Sequence, residues 1–177
     1  QTVIVDDITA PVAPVLANVT GECSATVVAP TTTDACVAGS ITGTTTDPLT
    51  YNTQGTFTIT WTFDDGNGNS VDVDQTVIVD DITAPVAPVL ANVTGECSAI
   101  AVAPTTTDAC VAGSITGTTS DPLTYNTQGT FTITWTFDDG NGNSIDVDQT
   151  VIVDDTTAPV TPTLSPVTVD CDGVLTA

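Results

Sequence analysis

The chain repeats itself almost letter for letter with a period of 74 residues. Residues 1–74 align without gaps to residues 75–148, and only four positions differ between the two copies. A third copy begins at Gln149 and diverges after Asp155. This period is too long for one turn of a solenoid and suits a small domain with its own core. The sequence therefore predicts a string of similar domains, which we call repeats.

Each repeat contains one stretch with a clear structural signature. Residues 56–63 and 130–137 alternate threonine with large apolar side chains, which predicts a β-strand with one buried and one solvent-exposed face. Asp-Asp-Gly-Asn-Gly-Asn follows each stretch, and Gly and Asn favour tight turns because they accept positive φ. The pattern predicts a β-hairpin whose tip carries carboxylates and amides.

The whole chain is predicted to be all-β. It has 22 acidic residues, yet 40% of its residues are apolar, which is unlike a disordered acidic chain. About seven short strands in each repeat, with regular turn signals, predict tandem immunoglobulin-like β-sandwiches. The side chains expected to point inward are Leu16, Val27, Ile41, Leu49, Tyr51, Phe57, Ile59, Trp61, Phe63, Val71, Val73 and Val77.

The boundaries follow from the strand expected at residues 75–79, which is typical of the last strand of a repeat. Full repeats then occupy residues 8–81 and 82–155, while residues 1–7 end a preceding repeat and residues 156–177 begin a following one. Two arrangements remain open at this point. The chain is a segment of a longer array, or a subunit whose end strands complete its neighbours.

The chain has no lysine, arginine or histidine, and its net charge is −22. Binding to nucleic acid or to anionic lipid needs such cations, so neither partner is expected. No apolar run approaches the ~18 residues of a membrane span, so no direct membrane insertion is expected. An enzyme is not expected either, because no basic side chain is present to activate a cysteine or to help the aspartates in acid–base chemistry.

Two cysteines lie 13 residues apart in each full repeat. A repeat with few aromatic residues has a thin core and benefits from a cross-link. We therefore predict disulfides Cys23–Cys36 and Cys97–Cys110, with the partner of Cys171 outside the segment. A metal site is the alternative, although two cysteines without histidine are a poor zinc set. A disulfide implies an oxidising, extracytoplasmic setting.

Carboxylates and amides recur at every predicted boundary between repeats. In a sandwich, the loop after the second strand and the last hairpin lie at the pole where the chain enters. Ca²⁺ takes six to eight oxygen ligands in a tolerant geometry, so we predict calcium at the joints. The alternative is that these residues only shape turns and are solvated. The predicted ligands are Asp6, Asp7, Asp34, Asp64, Asp65, Asn67, Asn69, Asp80, Asp81, Asp108, Asp138, Asp139, Asn141, Asn143, Asp154 and Asp155.

Four segments, read together, resemble HYR-like repeats: Gly-Glu-Cys-Ser-Ala (21–25), Pro-Thr-Thr-Thr-Asp-Ala-Cys (30–36), Trp-Thr-Phe-Asp-Asp-Gly-Asn-Gly-Asn (61–69) and Val-Asp-Asp-Ile-Thr-Ala-Pro (79–85). Those are immunoglobulin-like modules found in tandem in large secreted surface proteins and adhesins of Bacteroidetes. The resemblance implies a bacterial cell-surface protein. The family often has Asp-Asn-Cys where this chain has Asp34-Ala35-Cys36, so one possible ligand is missing here.

These observations predict a structural role. We expect an extracellular stalk or filament of rigid, disulfide-stapled, calcium-jointed repeats in a bacterial surface adhesin, with neighbouring repeats as partners. Near-identical copies favour this role because stiffness and spacing need repetition, whereas one specific site needs one copy. The alternatives are an adhesive module that binds a glycan or a protein, or a filament subunit completed by strand exchange.

Overall fold

A computed structural model describes residues 1–168, and its regular elements are all β-strands, so the all-β prediction is confirmed for this part of the chain. No helix in the described part is long and apolar enough to cross a membrane. Cys171 lies outside the described residues.

The first repeat contains seven strands, five of them only two or three residues long. They are β1 (Val19–Gly21), β2 (Ala25–Thr26), β3 (Thr31–Thr32), β4 (Ile41–Thr42), β5 (Thr50–Tyr51), β6 (Gly55–Asp64) and β7 (Ser70–Val79).

The second repeat has the same seven strands, each 74 residues further along. They are β8 (Val93–Gly95), β9 (Ala99–Ile100), β10 (Thr105–Thr106), β11 (Ile115–Thr116), β12 (Thr124–Tyr125), β13 (Gly129–Asp138) and β14 (Ser144–Val153).

A long antiparallel hairpin dominates each repeat. β6 and β7 pair over their full ten residues, from Gly55 opposite Val79 to Asp64 opposite Ser70. β1 adds to the free edge of β7 in parallel, with Val19 opposite Val77. The short strands form the pairs β2–β5 and β3–β4, so several small sheets surround each core. β13, β14 and the other strands of the second repeat pair in the same way.

The hairpin fulfils the expectation from the alternating pattern, while the short strands depart from it. The first strand, β1, begins only at Val19, and residues 15–18 form no strand. Thr31 and Thr32 form the short strand β3 although no alternating pattern marks them. Thr32 is buried and its hydroxyl donates to the carbonyl of Val12, which ties this segment to the N-terminal part of the repeat.

The core follows the alternation of β6. Ile59, Trp61 and Phe63 are buried, and the Trp61 indole donates to Gln75 Oε1 at 2.9 Å. The Gln75 amide in turn donates to the carbonyl of Ala17, so both buried polar groups have partners. Packing a glutamine opposite the indole is a feature that the apolar pattern does not reveal.

Most of the expected inward set lies in this core or packs against it. Leu49 was expected inside but is 43% exposed, which corrects that expectation: it precedes the two-residue strand β5 and lies outside any strand that would fix its face. Ala25 and Val79 are buried and were not expected. The second repeat has an equivalent core around Trp135 and Phe137. The exact boundaries at residues 81 and 155 stay a prediction.

The hairpin gives each repeat two poles. The exit pole holds the ends of β1 and β7, where Gly21 lies opposite Val79 and the chain leaves the repeat. The entry pole holds the hairpin tip, where Asn67 donates to Asp7 at 3.1 Å. Ten residues of extended strand separate the poles, which is roughly 30 Å.

The predicted disulfides Cys23–Cys36 and Cys97–Cys110 are wrong. The structure joins Cys23 of the first repeat to Cys110 of the second, across a sequence separation of 87 residues. Cys23 follows β1 at the exit pole, whereas Cys36 lies beside Asp7 at the entry pole. The two cysteines of one repeat are therefore too far apart to bond, since a disulfide needs Cα atoms within about 7 Å.

Candidate functional site

The linker between the repeats, residues 80–83, is held first by the exit pole of the first repeat. The main-chain N–H of Asp80 donates to the carbonyl of Gly21 at 3.0 Å. The N–H of Asp81 donates to Gln54 Oε1 at 2.8 Å, and the Gln54 amide donates to the carbonyl of Glu22. The Thr83 hydroxyl donates to the Glu22 carboxylate at 2.8 Å. The linker thus runs along this pole instead of hanging free.

The same linker is held on its other side by the hairpin tip of the second repeat. The Asn141 side chain donates to Asp81 Oδ2 at 3.0 Å, and the Asn143 side chain donates to the Asp81 carbonyl at 2.9 Å. Asp81 is only 3% exposed. Its burial between the two repeats defines the joint, by which we mean the linker together with the two poles that contact it.

Asp139 shapes the hairpin tip that contacts the linker. Its carboxylate accepts hydrogen bonds from the N–H groups of Asn141 and Asn143 and from the Asn143 side chain, at 2.7 to 3.1 Å. Burial raises the pKa of Asp139, but these hydrogen bonds outweigh it and hold the pKa below its ordinary value of 3.8. Asp139 is therefore ionised at neutral pH, although its side chain is only 8% exposed.

Three carboxylates meet at the joint. One oxygen each of Asp81, Asp108 and Asp139 lies within 4.8 Å of the others. Asp108 is fixed by the N–H of Cys110, which donates to its Oδ1 at 2.7 Å. The Glu22 carboxylate and the Cys110 sulfur lie within the same distance of Asp81. The joint thus concentrates negative charge in a chain without basic side chains.

The entry pole of the first repeat carries the matching residues, and within residues 1–168 no other repeat contacts it. Asp7 accepts from the Thr9 main chain and hydroxyl, and these bonds lower the pKa of Asp7. Asp7, Asp34 and Cys36 lie within 4.8 Å of one another. The negative charge of Asp7 raises the pKa of the Cys36 thiol, which is free and exposed.

The predicted ligands separate into three groups. Asp81, Asp108 and Asp139 cluster, and Asn141 and Asn143 contact this cluster through their N–H groups. Their first-repeat equivalents Asp7, Asp34, Asp65, Asn67 and Asn69 gather at the other entry pole, where Asn69 donates to both Asp65 and Asp7. The remaining predicted ligands are exposed and belong to no three-residue cluster in the described part of the chain: Asp6, Asp64, Asp80, Asp138, Asp154 and Asp155.

Glu22 and Gln54 are the joint residues that the sequence did not indicate. Glu22 lies beside Cys23 in a short turn, and Gln54 precedes the glycine that begins β6. Neither belongs to an acidic pair. The only available signal was the recurrence of Gly-Glu-Cys and Thr-Gln-Gly in both repeats, which does not distinguish these residues from the rest of an almost perfect copy.

No family profile, no curated protein and no solved structure matches this chain. What the chain does must therefore be inferred from the joint. Its geometry can do two things: it can restrain the angle between two repeats, and it can present carboxylate oxygens to a cation.

Proposed function

We propose that this chain is part of a structural extracellular stalk or filament made of immunoglobulin-like repeats of the HYR-like kind, in a bacterial surface adhesin. The observation that carries the proposal is the joint, where a disulfide and hydrogen bonds from both repeats restrain a short linker. A free two-residue connection would act as a hinge. Two separate attachments, one at the linker and one at the disulfide, oppose bending and twisting together.

The disulfide also supports the location of the protein. Stable disulfides form in oxidising compartments, and Cys23–Cys110 joins residues far apart in the chain. A stalk outside the cell meets this requirement. The net charge of −22 keeps such a rod soluble and discourages its association with other copies side by side.

Calcium is the second part of the proposal. The chemistry of the donor set fits a hard cation, because Asp81, Asp108 and Asp139 offer carboxylate oxygens within 4.8 Å of one another. Three carboxylates supply fewer than the six to eight oxygens that Ca²⁺ takes, so Glu22 and water are expected to complete the set. Bound calcium would neutralise the repulsion within the cluster and hold the two poles together.

Adhesive binding receives less support than the structural role. The best aromatic candidate for a binding surface, Trp61, is 1% exposed. Tyr51 is half-buried and stacks on Phe57 with ring centroids 4.6 Å apart. Neither residue offers the exposed aromatic surface that a glycan site would use.

Strand exchange is the second candidate, and one observation favours it. Residues 1–5 have the same sequence as residues 75–79 at the end of β7, but they form no strand, and Val3, Ile4 and Val5 are 79% to 94% exposed. Such apolar residues are suited to completing the sheet of a neighbouring repeat, whether that repeat belongs to the same chain or to another. Deleting residues 1–5 should lower the mass of any assembly if strand exchange operates, and it should leave the stalk proposal untouched.

Calcium titration tests the metal. Affinities of extracellular calcium modules are roughly 10⁻⁴–10⁻³ M, and calcium at ten times its Kd would stabilise the bound state by about 1.4 kcal/mol. We expect thermal stability to rise with calcium, and small-angle scattering to show less bending between repeats than in EDTA. The triple variant Asp81→Asn, Asp108→Asn, Asp139→Asn should lose both responses.

A matched control carries the equivalent changes Asp7→Asn, Asp34→Asn and Asp65→Asn, which leave the joint intact. It should keep the bending response. If EDTA changes neither stability nor bending in the unaltered protein, the calcium proposal fails. The disulfide-restrained stalk fails only if scattering shows freely jointed repeats while Cys23–Cys110 is closed.

A further inference from the structure

The tip of each long hairpin contains an asparagine followed directly by a glycine. These steps are Asn67–Gly68 and Asn141–Gly142, and no other asparagine of the chain precedes a glycine. Asparagine before glycine is especially prone to lose its side-chain amide, because glycine has no side chain to keep its nitrogen away from the asparagine side chain. Gly142 has a φ of 107° and is exposed, so water can reach the step. A chemically reactive step therefore lies at the joint.

This loss, called deamidation, needs neither an enzyme nor an oxidant. The main-chain nitrogen of Gly142 attacks the side-chain carbonyl carbon of Asn141, and a new C–N bond closes a succinimide ring. The side-chain nitrogen of Asn141 leaves as ammonia and takes the proton that the Gly142 nitrogen gives up. Water then adds to one of the ring carbonyls and opens the ring, which gives aspartate or isoaspartate at position 141.

The contacts of the joint oppose this reaction. The Asn141 side chain donates to Asp81 Oδ2 at 3.0 Å, so this hydrogen bond must break before the ring can close. The main-chain N–H groups of Asn141 and Gly142 both hydrogen-bond to the carboxylate of Asp139. A nitrogen that must give up its proton beside a negative charge reacts more slowly, because that charge destabilises the anion that forms. Deamidation should thus be slower while the tip contacts the linker.

We propose that Asn141 is a deamidation site controlled by the joint. The contact with Asp81 protects Asn141 while the tip and the linker are together, and conversion of Asn141 then removes that contact irreversibly. The proposal rests on the joint of the proposed stalk, but it does not depend on calcium.

The product of the reaction cannot restore the contact. Aspartate at position 141 carries a carboxylate in place of the amide that donated to Asp81 Oδ2, so a hydrogen bond is replaced by repulsion. Asp108 and Asp139 already place carboxylate oxygens within 4.8 Å of Asp81, so the new charge joins three others. Isoaspartate in addition lengthens the main chain of the tip by one carbon. The joint of an ageing stalk should therefore become more flexible.

The first experiment compares the folded and the urea-unfolded full-length protein, both in EDTA at mildly alkaline pH. Chymotryptic peptides are analysed for deamidation by mass spectrometry, and the two tips are told apart because one peptide contains Val71 and the other Ile145. We expect Asn141 to deamidate about tenfold more slowly in the folded protein, which is the factor that one hydrogen bond to a charged group provides. Equal rates would overturn the proposal.

A pair of variants tests the contact with Asp81 itself. Asp81→Ala removes the acceptor, whereas the matched control Asp81→Asn keeps a side-chain oxygen that can accept from Asn141. Asn67 in the same molecule is the internal reference, because its side chain contacts Asp7 instead of Asp81. We expect the ratio of the rates at Asn141 and Asn67 to rise about tenfold in Asp81→Ala and to stay near its original value in Asp81→Asn.

An unchanged ratio in Asp81→Ala, with the fold verified by circular dichroism, would overturn the proposal. The comparison in urea needs no variant, so it tests the protection of Asn141 whether or not Asp81→Ala folds.

The last measurement concerns the flexibility of the joint after deamidation. Asn141→Asp carries the carboxylate of the deamidated joint, and Asn67→Asp carries the same change at the tip of the first repeat, outside the joint. In small-angle scattering with EDTA, we expect more bending between the repeats in Asn141→Asp than in Asn67→Asp. Equal bending would contradict the proposed loss of contact. The stalk proposal is judged separately on the unaltered protein, where freely jointed repeats would contradict it and a stiff joint would leave it standing.

Discussion

The two entry poles have nearly the same sequence, yet in the part of the chain that the structure describes only the second contacts another repeat. The hairpin tip is the same in both, since Asp65 and Asp139 are each 8% exposed and accept the same hydrogen bonds. The linker differs, because Asp81 is 3% exposed whereas Asp7 is only half-buried. The tip is therefore a property of the repeat itself, while the burial of the linker and the state of the cysteine depend on the neighbour.

The largest difference between the two poles should appear when their cysteines are replaced. Cys110→Ser opens the loop closed by Cys23–Cys110, and the chain-entropy model assigns about 4–5 kcal/mol to a loop of this length. Cys36→Ser removes a free, exposed thiol and should change the free energy of unfolding by less than about 0.5 kcal/mol. Urea unfolding followed by tryptophan fluorescence measures both.

The unaltered protein in excess dithiothreitol serves as the control and should match Cys110→Ser. Equal effects of the two serine variants would show that the disulfide at the joint does not stabilise the fold.

A smaller difference is expected at the hairpin tips. Asp139→Ala and Asp65→Ala each remove a charged acceptor of two main-chain hydrogen bonds at the tip, so each should cost about 1.5–3 kcal/mol in the absence of calcium. When calcium is added, only Asp65→Ala should regain the stabilisation that comes from the joint. The measurement is thermal unfolding of both variants with and without calcium. Identical responses of the two variants to calcium would show that the ion does not act at the joint.

The smallest effect, common to both poles, is the response to acid. The pKa values of Asp65 and Asp139 are lowered from 3.8 in the folded protein, so the stability they contribute is fully present above that value. It is lost as pH falls through the lowered folded-state pKa values. We therefore expect the thermal midpoint to fall with pH in this range.

The double variant Asp65→Asn, Asp139→Asn has no carboxylate at these two positions to take up a proton, so its thermal midpoint should depend less on pH than that of the unaltered protein. Parallel pH profiles for the two proteins would contradict the assignment.

The sequence predicted the long hairpin correctly because its determinants are local. Alternating threonine and apolar residues define β6, and glycines with φ of 79° and 102° at positions 66 and 68 make the turn. Leu49 was misplaced because the two-residue β5 has no alternating pattern to fix its face. Short strands are held by tertiary contacts such as that of Thr32 with Val12, which the local sequence does not encode.

The disulfide was mispredicted for a different reason. In a chain of near-identical repeats, Cys23 has the same sequence spacing to Cys36 that Cys97 has to Cys110, and nearness in sequence favours the pair inside one repeat. What decides the pairing is the parallel addition of β1 to β7, which carries Cys23 to the exit pole. That parallel pairing is not readable from alternation or turn residues.

The position of the disulfide has a mechanical consequence. Tension applied to the two ends of the chain passes from Cys23 to Cys110 through the sulfur bridge and bypasses the residues between them. Those residues include the whole β6–β7 hairpin of the first repeat, so tension cannot separate its two strands. It also cannot extend the segment between Cys23 and Cys110, whose fully extended length would be on the order of 300 Å. The hairpin of the second repeat carries the load directly. A rod linked in this way would fail first at the repeat whose bridge to its neighbour is open.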